Sequence, residues 1–159
     1  MNFLFQRKHK YETHTGIEDV RQRIKSLRKS SWYDVAINLT GKIQEDNSFT
    51  LKNKQTLGAF TRGIPKTFVL LEGQLTPDNT ATKIDITVRP NYILVLLFYI
   101  LTCIVLYDLY DFVIHDFSTD LLRAGVLSII LLFTVFLIGS MMNNITNRFE
   151  EFMLLGKRK

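Results

Sequence analysis

The chain has 159 residues, 20 Lys and Arg against 15 Asp and Glu, a formal charge of +5 and 47% hydrophobic residues, enough for one small folded domain plus a membrane element. Its single cysteine, Cys103, excludes an intramolecular disulfide. The slightly positive mean hydropathy argues against a purely soluble chain, and it averages two unlike halves. Residues 1–90 carry most of the charge and a basic surplus, whereas residues 91–142 hold one Arg and four Asp among mostly apolar residues. A basic, polar half followed by an apolar one reads as a folded domain joined to a membrane anchor.

Residues 1–14 read as a basic tail. Phe3, Leu4 and Phe5 are followed at once by Arg7, Lys8, His9 and Lys10. A secretory signal has its charges first and then about 7–15 apolar residues, so this segment is not one. His9 and His14 do not share a helix face and read as solvated.

Thr15-Gly16-Ile17-Glu18 has the spacing of a capping box. Behind it, Ile17, Val20, Ile24 and Leu27 recur at helical spacing and form one apolar stripe. Arg21, Arg23, Lys25, Arg28 and Lys29 surround the stripe, so residues 16–29 are predicted to form a basic amphipathic helix. Its stripe either covers the sheet that follows or lies on an anionic membrane surface. Arg21, Arg23, Ile24, Lys25, Leu27 and Arg28 are therefore candidate contacts with a membrane surface or a partner. No base-reading module accompanies the moderate charge, so nucleic acid is not an expected partner.

A strand series follows. Tyr33, Val35, Ile37 and Leu39 alternate with Asp34, Ala36, Asn38 and Thr40. Glu45-Asp46-Asn47-Ser48 is a turn cluster, residues 49–54 alternate again, and residues 56–65 read as a Gly-containing loop. Residues 67–76 form an apolar strand in which Gly73 marks a bulge or a close approach. Thr76-Pro77-Asp78-Asn79 suits a type I turn, and Ile84, Ile86 and Val88 share one face of a last strand that Arg89-Pro90 stops. Short connections favour an antiparallel meander of about four strands. Arg62 and Lys66, in the loop before the third strand, join the candidate lipid or partner contacts.

Residues 91–107 and 124–142 are free of charge and apolar all round, apart from Arg123 just before the second. Each is near the length of roughly 17–25 residues that crosses a bilayer core. The link between them, residues 108–123, carries Asp108, Asp111, Asp116 and Asp120 and reads as a solvated loop. Basic residues flank the other ends: Lys83 and Arg89 before the first span, and Arg148, Lys157, Arg158 and Lys159 in a basic tail at residues 143–159. Under the positive-inside rule both termini are cytoplasmic. With almost no linker between the last strand and the first span, the sheet is expected close to the cytoplasmic surface.

The expected fold is an α+β membrane protein: an amphipathic helix and about four antiparallel strands in residues 15–90, then a two-helix transmembrane hairpin in residues 91–142. Gly41-Lys42-Ile43, Phe49-Thr50-Leu51, Pro65, Phe68, Gly73-Gln74-Leu75 and Ile84-Asp85-Ile86-Thr87-Val88-Arg89-Pro90 together form a loose pattern. Over residues 33–142 it is similar to bacterial membrane proteins in which a short β-domain precedes a two-helix hairpin. That resemblance implies a bacterial inner-membrane setting and carries no activity or site residues with it.

No phosphate-binding loop, nucleophile elbow or paired-Cys zinc motif is present. The sequence therefore points to a non-enzymatic, membrane-anchored module without cofactor or metal. Its β-domain is expected to bind a protein partner or lipid head groups, as a subunit or a homo-oligomer. A small oligomeric transport or channel subunit, and an immunity-type protective membrane protein, are the alternatives.

Overall fold

The computed structural model describes residues 5–29, 39–53, 68–78, 81–115 and 118–155. In chain order the elements are β1 (Arg7–Thr13), α1 (Ile17–Lys29), β2 (Leu39–Ile43), β3 (Ser48–Asn53), β4 (Val69–Asp78), β5 (Ala81–Pro90), α2 (Tyr92–His115) and α3 (Ser118–Met153). They form two compact units: residues 1–90 with 141–159, and residues 91–140.

The first unit is built on one antiparallel sheet of five strands in the order β1-β5-β4-β3-β2. Strands β3, β4 and β5 follow the antiparallel meander that the alternation predicts; β2 starts at Leu39, at the end of the expected first strand, and runs on to Ile43, and β1 is the addition. Residues 7–13, expected as tail, pair with β5 from Arg7↔Val88 to Thr13↔Thr82. Charge density suggested disorder, but the segment alternates. His9, Tyr11 and Thr13 are half-buried while Lys8, Lys10 and Glu12 face solvent, and Tyr and Thr suit a pleated surface. Residues 33–38 of the strand expected over 33–40, and the loop over residues 56–65, lie outside the described residues.

One face of the sheet is apolar and buried. Phe49, Leu51, Leu71, Leu75, Ile84, Ile86 and Val88 are at most 2% exposed. Helix α1 covers part of it: Val20, Ile24 and Leu27 are fully buried, and α1 rests on β2 and β4. The opposite face is polar and carries the exposed pairs Lys10–Asp85, Lys83–Asp78 and Arg89–Glu72.

Local chemistry fixes the connections. The Asp46 carboxylate accepts hydrogen bonds from the Ser48 amide (3.0 Å) and hydroxyl (2.7 Å), which hold this carboxyl below the usual range. Asn47 takes a left-handed φ of 64° between β2 and β3, a conformation Asn tolerates. The proposed capping box does not close. The Thr13 hydroxyl donates to the Thr15 hydroxyl (3.1 Å), and Glu18 turns to Arg21 (3.3 Å).

Gly73 makes a close approach without a bulge, since the register runs unbroken from Ser48↔Gln74 through Phe49↔Gly73. Pro77 is not in a turn: β4 runs through it, opposite Thr82. The pairing of β3 with β4 ends at Gln74. Among the described residues Pro77 therefore sits where β4 has a neighbour on one side only, and its missing N–H costs no ladder bond.

The second unit contains α2 and the first part of α3. The Asn91 side chain caps α2 by accepting the Ile93 amide (3.1 Å). Both helices are long and apolar enough to cross a membrane by length and composition. They overrun their expected ends: α2 continues to His115 and α3 begins at Ser118, so most of the expected loop over residues 108–123 is helical.

Helix α3 also continues past residue 142 to Met153, where a tail was expected. Met142, Ile145, Phe149 and Met153 are buried at spacings of three and four, the period of one helix face. Phe149 stacks on Phe49 at 5.8 Å between ring centroids and tilts against Tyr11 at 6.2 Å. The last turns of α3 therefore complete the core of the sheet unit.

Candidate functional site

A concavity of about 610 Å³ in the sheet unit runs along β1. One wall is five consecutive strand residues, Lys8 to Glu12, and the other is one face of α3, with Asn143, Thr146, Asn147 and Glu150. Consecutive strand residues point alternately up and down. A cleft that touches all five follows the strand's edge, and β1 is the end strand of the sheet.

The walls are tied together by polar contacts. The Arg7 guanidinium donates to the Asn143 side-chain carbonyl, and the Tyr11 hydroxyl donates to the Glu150 carboxylate at 2.7 Å. Burial, the hydrogen bond to Glu150 and its negative charge push the Tyr11 phenol well above its ordinary pKa, so Tyr11 is a fixed donor at neutral pH. The His9 ring lies on the same face as Tyr11, stacked at 6.2 Å. The lining mixes Lys8 and Lys10 with Glu12 and Glu150, so it offers no single-sign trap for an ion. Among the described residues, no three His, Cys, Asp or Glu side chains stand together as a metal site.

This groove was missed in the sequence because both walls lay in segments read as tails. The signals were present: a period-two alternation in Arg7-Lys-His-Lys-Tyr-Glu-Thr13, and the helical repeat Met142, Ile145, Phe149, Met153.

The sequence-derived candidates lie elsewhere. Ile24 and Leu27 are wholly buried in the core, which removes them from any contact surface: their apolar stripe packs inward. Arg21 is partly buried and paired with Glu18 (side-chain exposures 23% and 78%), Arg23 is half-buried and Lys25 exposed. Arg28 lies in the last turn of α1. Arg62 and Lys66 lie outside the described residues.

In the second unit Asp108 and Asp111 lie in α2 and not in the expected solvated loop. The Asp108 side chain is 1% exposed and accepts two hydrogen bonds from Arg123, one from Nε at 2.8 Å and one from Nη2. The fork of the guanidinium matches the carboxylate, the strongest form of charged hydrogen bonding. It ties α2 to α3.

No family model, curated protein or solved structure matches the chain. The roles of these residues therefore rest on their geometry and chemistry alone.

Proposed function

We propose that the chain is a non-enzymatic module anchored by a two-helix hairpin in a bacterial inner membrane. Both termini and the sheet unit lie in the cytoplasm, where the sheet unit engages a protein partner or lipid head groups. The observation that carries this reading is the exposure of large apolar side chains all around both helices: Val113 at 80%, Leu122 at 75%, Phe136 at 72% and Leu132 at 70%. Water does not tolerate a contiguous apolar surface of that extent, whereas a bilayer requires it.

Three further features support it. Exposed tyrosines stand near both ends of α2, Tyr92 at one and Tyr107 and Tyr110 at the other, as interfacial belts do. The Thr102 and Thr134 hydroxyls donate to the carbonyls of Phe98 and Ile130 (both 2.8 Å), so they are satisfied within their own helices and are poor material for a polar pore. The excess of Lys and Arg on the flanks over the hairpin tip favours cytoplasmic termini.

The test is membrane extraction and thiol accessibility. Alkaline carbonate leaves the chain in the membrane pellet, and Cys103 reacts with an impermeant maleimide only after detergent is added. In a Cys103→Ser background, Lys52→Cys reacts from the cytoplasmic side and Ser118→Cys from the outer side. Release into the carbonate supernatant refutes the anchor, and exchanged labelling refutes the orientation.

A further inference from the structure

We propose that the outer edge of β1 is a self-association surface, at which β1 of a second copy of this chain pairs antiparallel to form one continuous sheet. The inference goes beyond anchoring and stands on the sheet unit alone.

Among the described residues β1 has one strand neighbour, β5. Alternate N–H and C=O groups of β1 therefore face outward, and an unpaired edge is a template for another strand. The groove of about 610 Å³ along that edge leaves space beside Lys8 to Glu12. An added strand makes main-chain bonds on one side and meets the Asn143 and Asn147 amides of α3 below.

The charge pattern selects the occupant. Lysines on an edge strand ordinarily discourage pairing, but Glu12 shares the exposed face with Lys8 and Lys10. A twofold axis that keeps both buried faces on one side lets only like-facing residues oppose each other. With Tyr11 on the axis, Lys10 of each copy stands opposite Glu12 of the other and His9 opposite Thr13. Two reciprocal ion pairs form and no like charges meet. The same axis carries the Asn143 and Asn147 amides of the two copies toward one another, where each amide both donates and accepts. Pairing centred on Lys10 also joins Lys8 to Glu12 twice, but it sets Lys10 against Lys10, so the Tyr11 register is the favoured one.

The experiment is native mass spectrometry of the full chain in mild detergent over a range of concentrations, with circular dichroism to confirm folding. The wild type is expected as a dimer. Glu12→Lys turns two attractions into two repulsions and raises the dimer dissociation constant about tenfold or more. Glu12→Gln removes the attraction without opposing Lys83, its cross-strand neighbour in the same chain, and gives a smaller rise. Lys10→Glu combined with Glu12→Lys re-forms the pairs between copies, while setting the new side chains against Asp85 and Lys83 within each chain, and lowers the constant below that of Glu12→Lys alone. A monomeric wild type, alone or holding a different protein, overturns the proposal. So does a dimer indifferent to both Glu12 substitutions, which places association on another surface such as the apolar helices. Loss of membrane anchoring is read separately, by the carbonate extraction above.

Discussion

Replacing Gly73 by alanine opposes two physical effects of different sign. Gly in a strand interior is weak, and alanine there is worth about 0.5–1 kcal/mol of added stability through the unfolded chain and strand preference. No unusual backbone angle reserves the site for glycine. The structure predicts the opposite outcome. A Cβ at Gly73 stands 2.2, 2.6 and 2.8 Å from Cζ, Cε1 and Cε2 of Phe49. That ring has little room to retreat, because Phe49 is 1% exposed and stacked at 18° on Phe149. Overpacking of this kind costs about 1–3 kcal/mol, and losing the aromatic stack adds about 0.5–1.5 kcal/mol. Set against the gain, Gly73→Ala is destabilising by about 1–3 kcal/mol net, a drop of several degrees in the melting temperature of a unit this size. The assay is thermal unfolding in detergent of four chains: wild type, Gly73→Ala, Phe49→Leu and both together. Leucine is shorter and lacks the clashing ring atoms, so the alanine costs less in that background, with a coupling of about 1 kcal/mol or more. A neutral or stabilising Gly73→Ala, or additive single effects, refutes the account of this contact.

Asp108→Ala removes the carboxylate that accepts from Arg123 and loosens the join between α2 and α3, a loss of about 1–3 kcal/mol because the half-exposed guanidinium is not left buried; faster proteolysis and a lower melting temperature report it, and an unchanged melt argues that the pair is incidental. Leu27→Asp puts a carboxylate into the core under α1 and unfolds the sheet unit, a loss above about 4 kcal/mol; a folded variant that had lost only a binding partner would return α1 to the candidate surfaces. Tyr11→Phe removes the bond to the Glu150 carboxylate, at about 1.5–3 kcal/mol, and also changes the alkaline response. The folded Tyr11 phenol lies above its unfolded value of 10.0, so its contribution is present below about pH 10 and fades as pH rises beyond it. Stability from pH 9 to 11 should fall more steeply in the wild type than in Tyr11→Phe, and parallel profiles would contradict this.

Most of the element boundaries were legible wherever a period was clean. The stripe Val20, Ile24, Leu27 marked α1, the alternation around Phe49 and Ile84 marked β3 and β5, and Glu45 to Ser48 marked the turn between β2 and β3. Misreadings came from letting composition outrank period. Four basic residues between Arg7 and Lys10 suggested a tail, yet a strand at a sheet edge needs only one apolar face, and His9, Tyr11 and Thr13 supply it. The four Asp between residues 108 and 120 suggested a loop, because a single chain position does not reveal that Arg123 will stand opposite Asp108. The candidate groove was invisible for the same reason. Its two walls are more than a hundred residues apart, and the Tyr11–Glu150 bond is a property of the fold and not of either segment.

Helix α3 shows how one continuous helix can be written for two surroundings. From Ala124 to about residue 140 its side chains are uncharged and mostly apolar on every side, and Thr134 returns its hydroxyl to its own backbone. From Met142 onward the apolar positions narrow to a single stripe, and the remaining positions carry Asn143, Asn147, Glu150 and Glu151. The first pattern carries few polar atoms and returns the Thr134 hydroxyl to the backbone, in keeping with the condition a hydrocarbon solvent imposes. The second places polar side chains against β1, where Asn143 and Glu150 accept from Arg7 and Tyr11, and at the solvent-facing surface. Asp108 obeys the first rule despite its charge, since Arg123 answers it with two hydrogen bonds. A charge satisfied so completely is better suited to holding two helices together than to passing an ion between them, which favours the anchor over the channel.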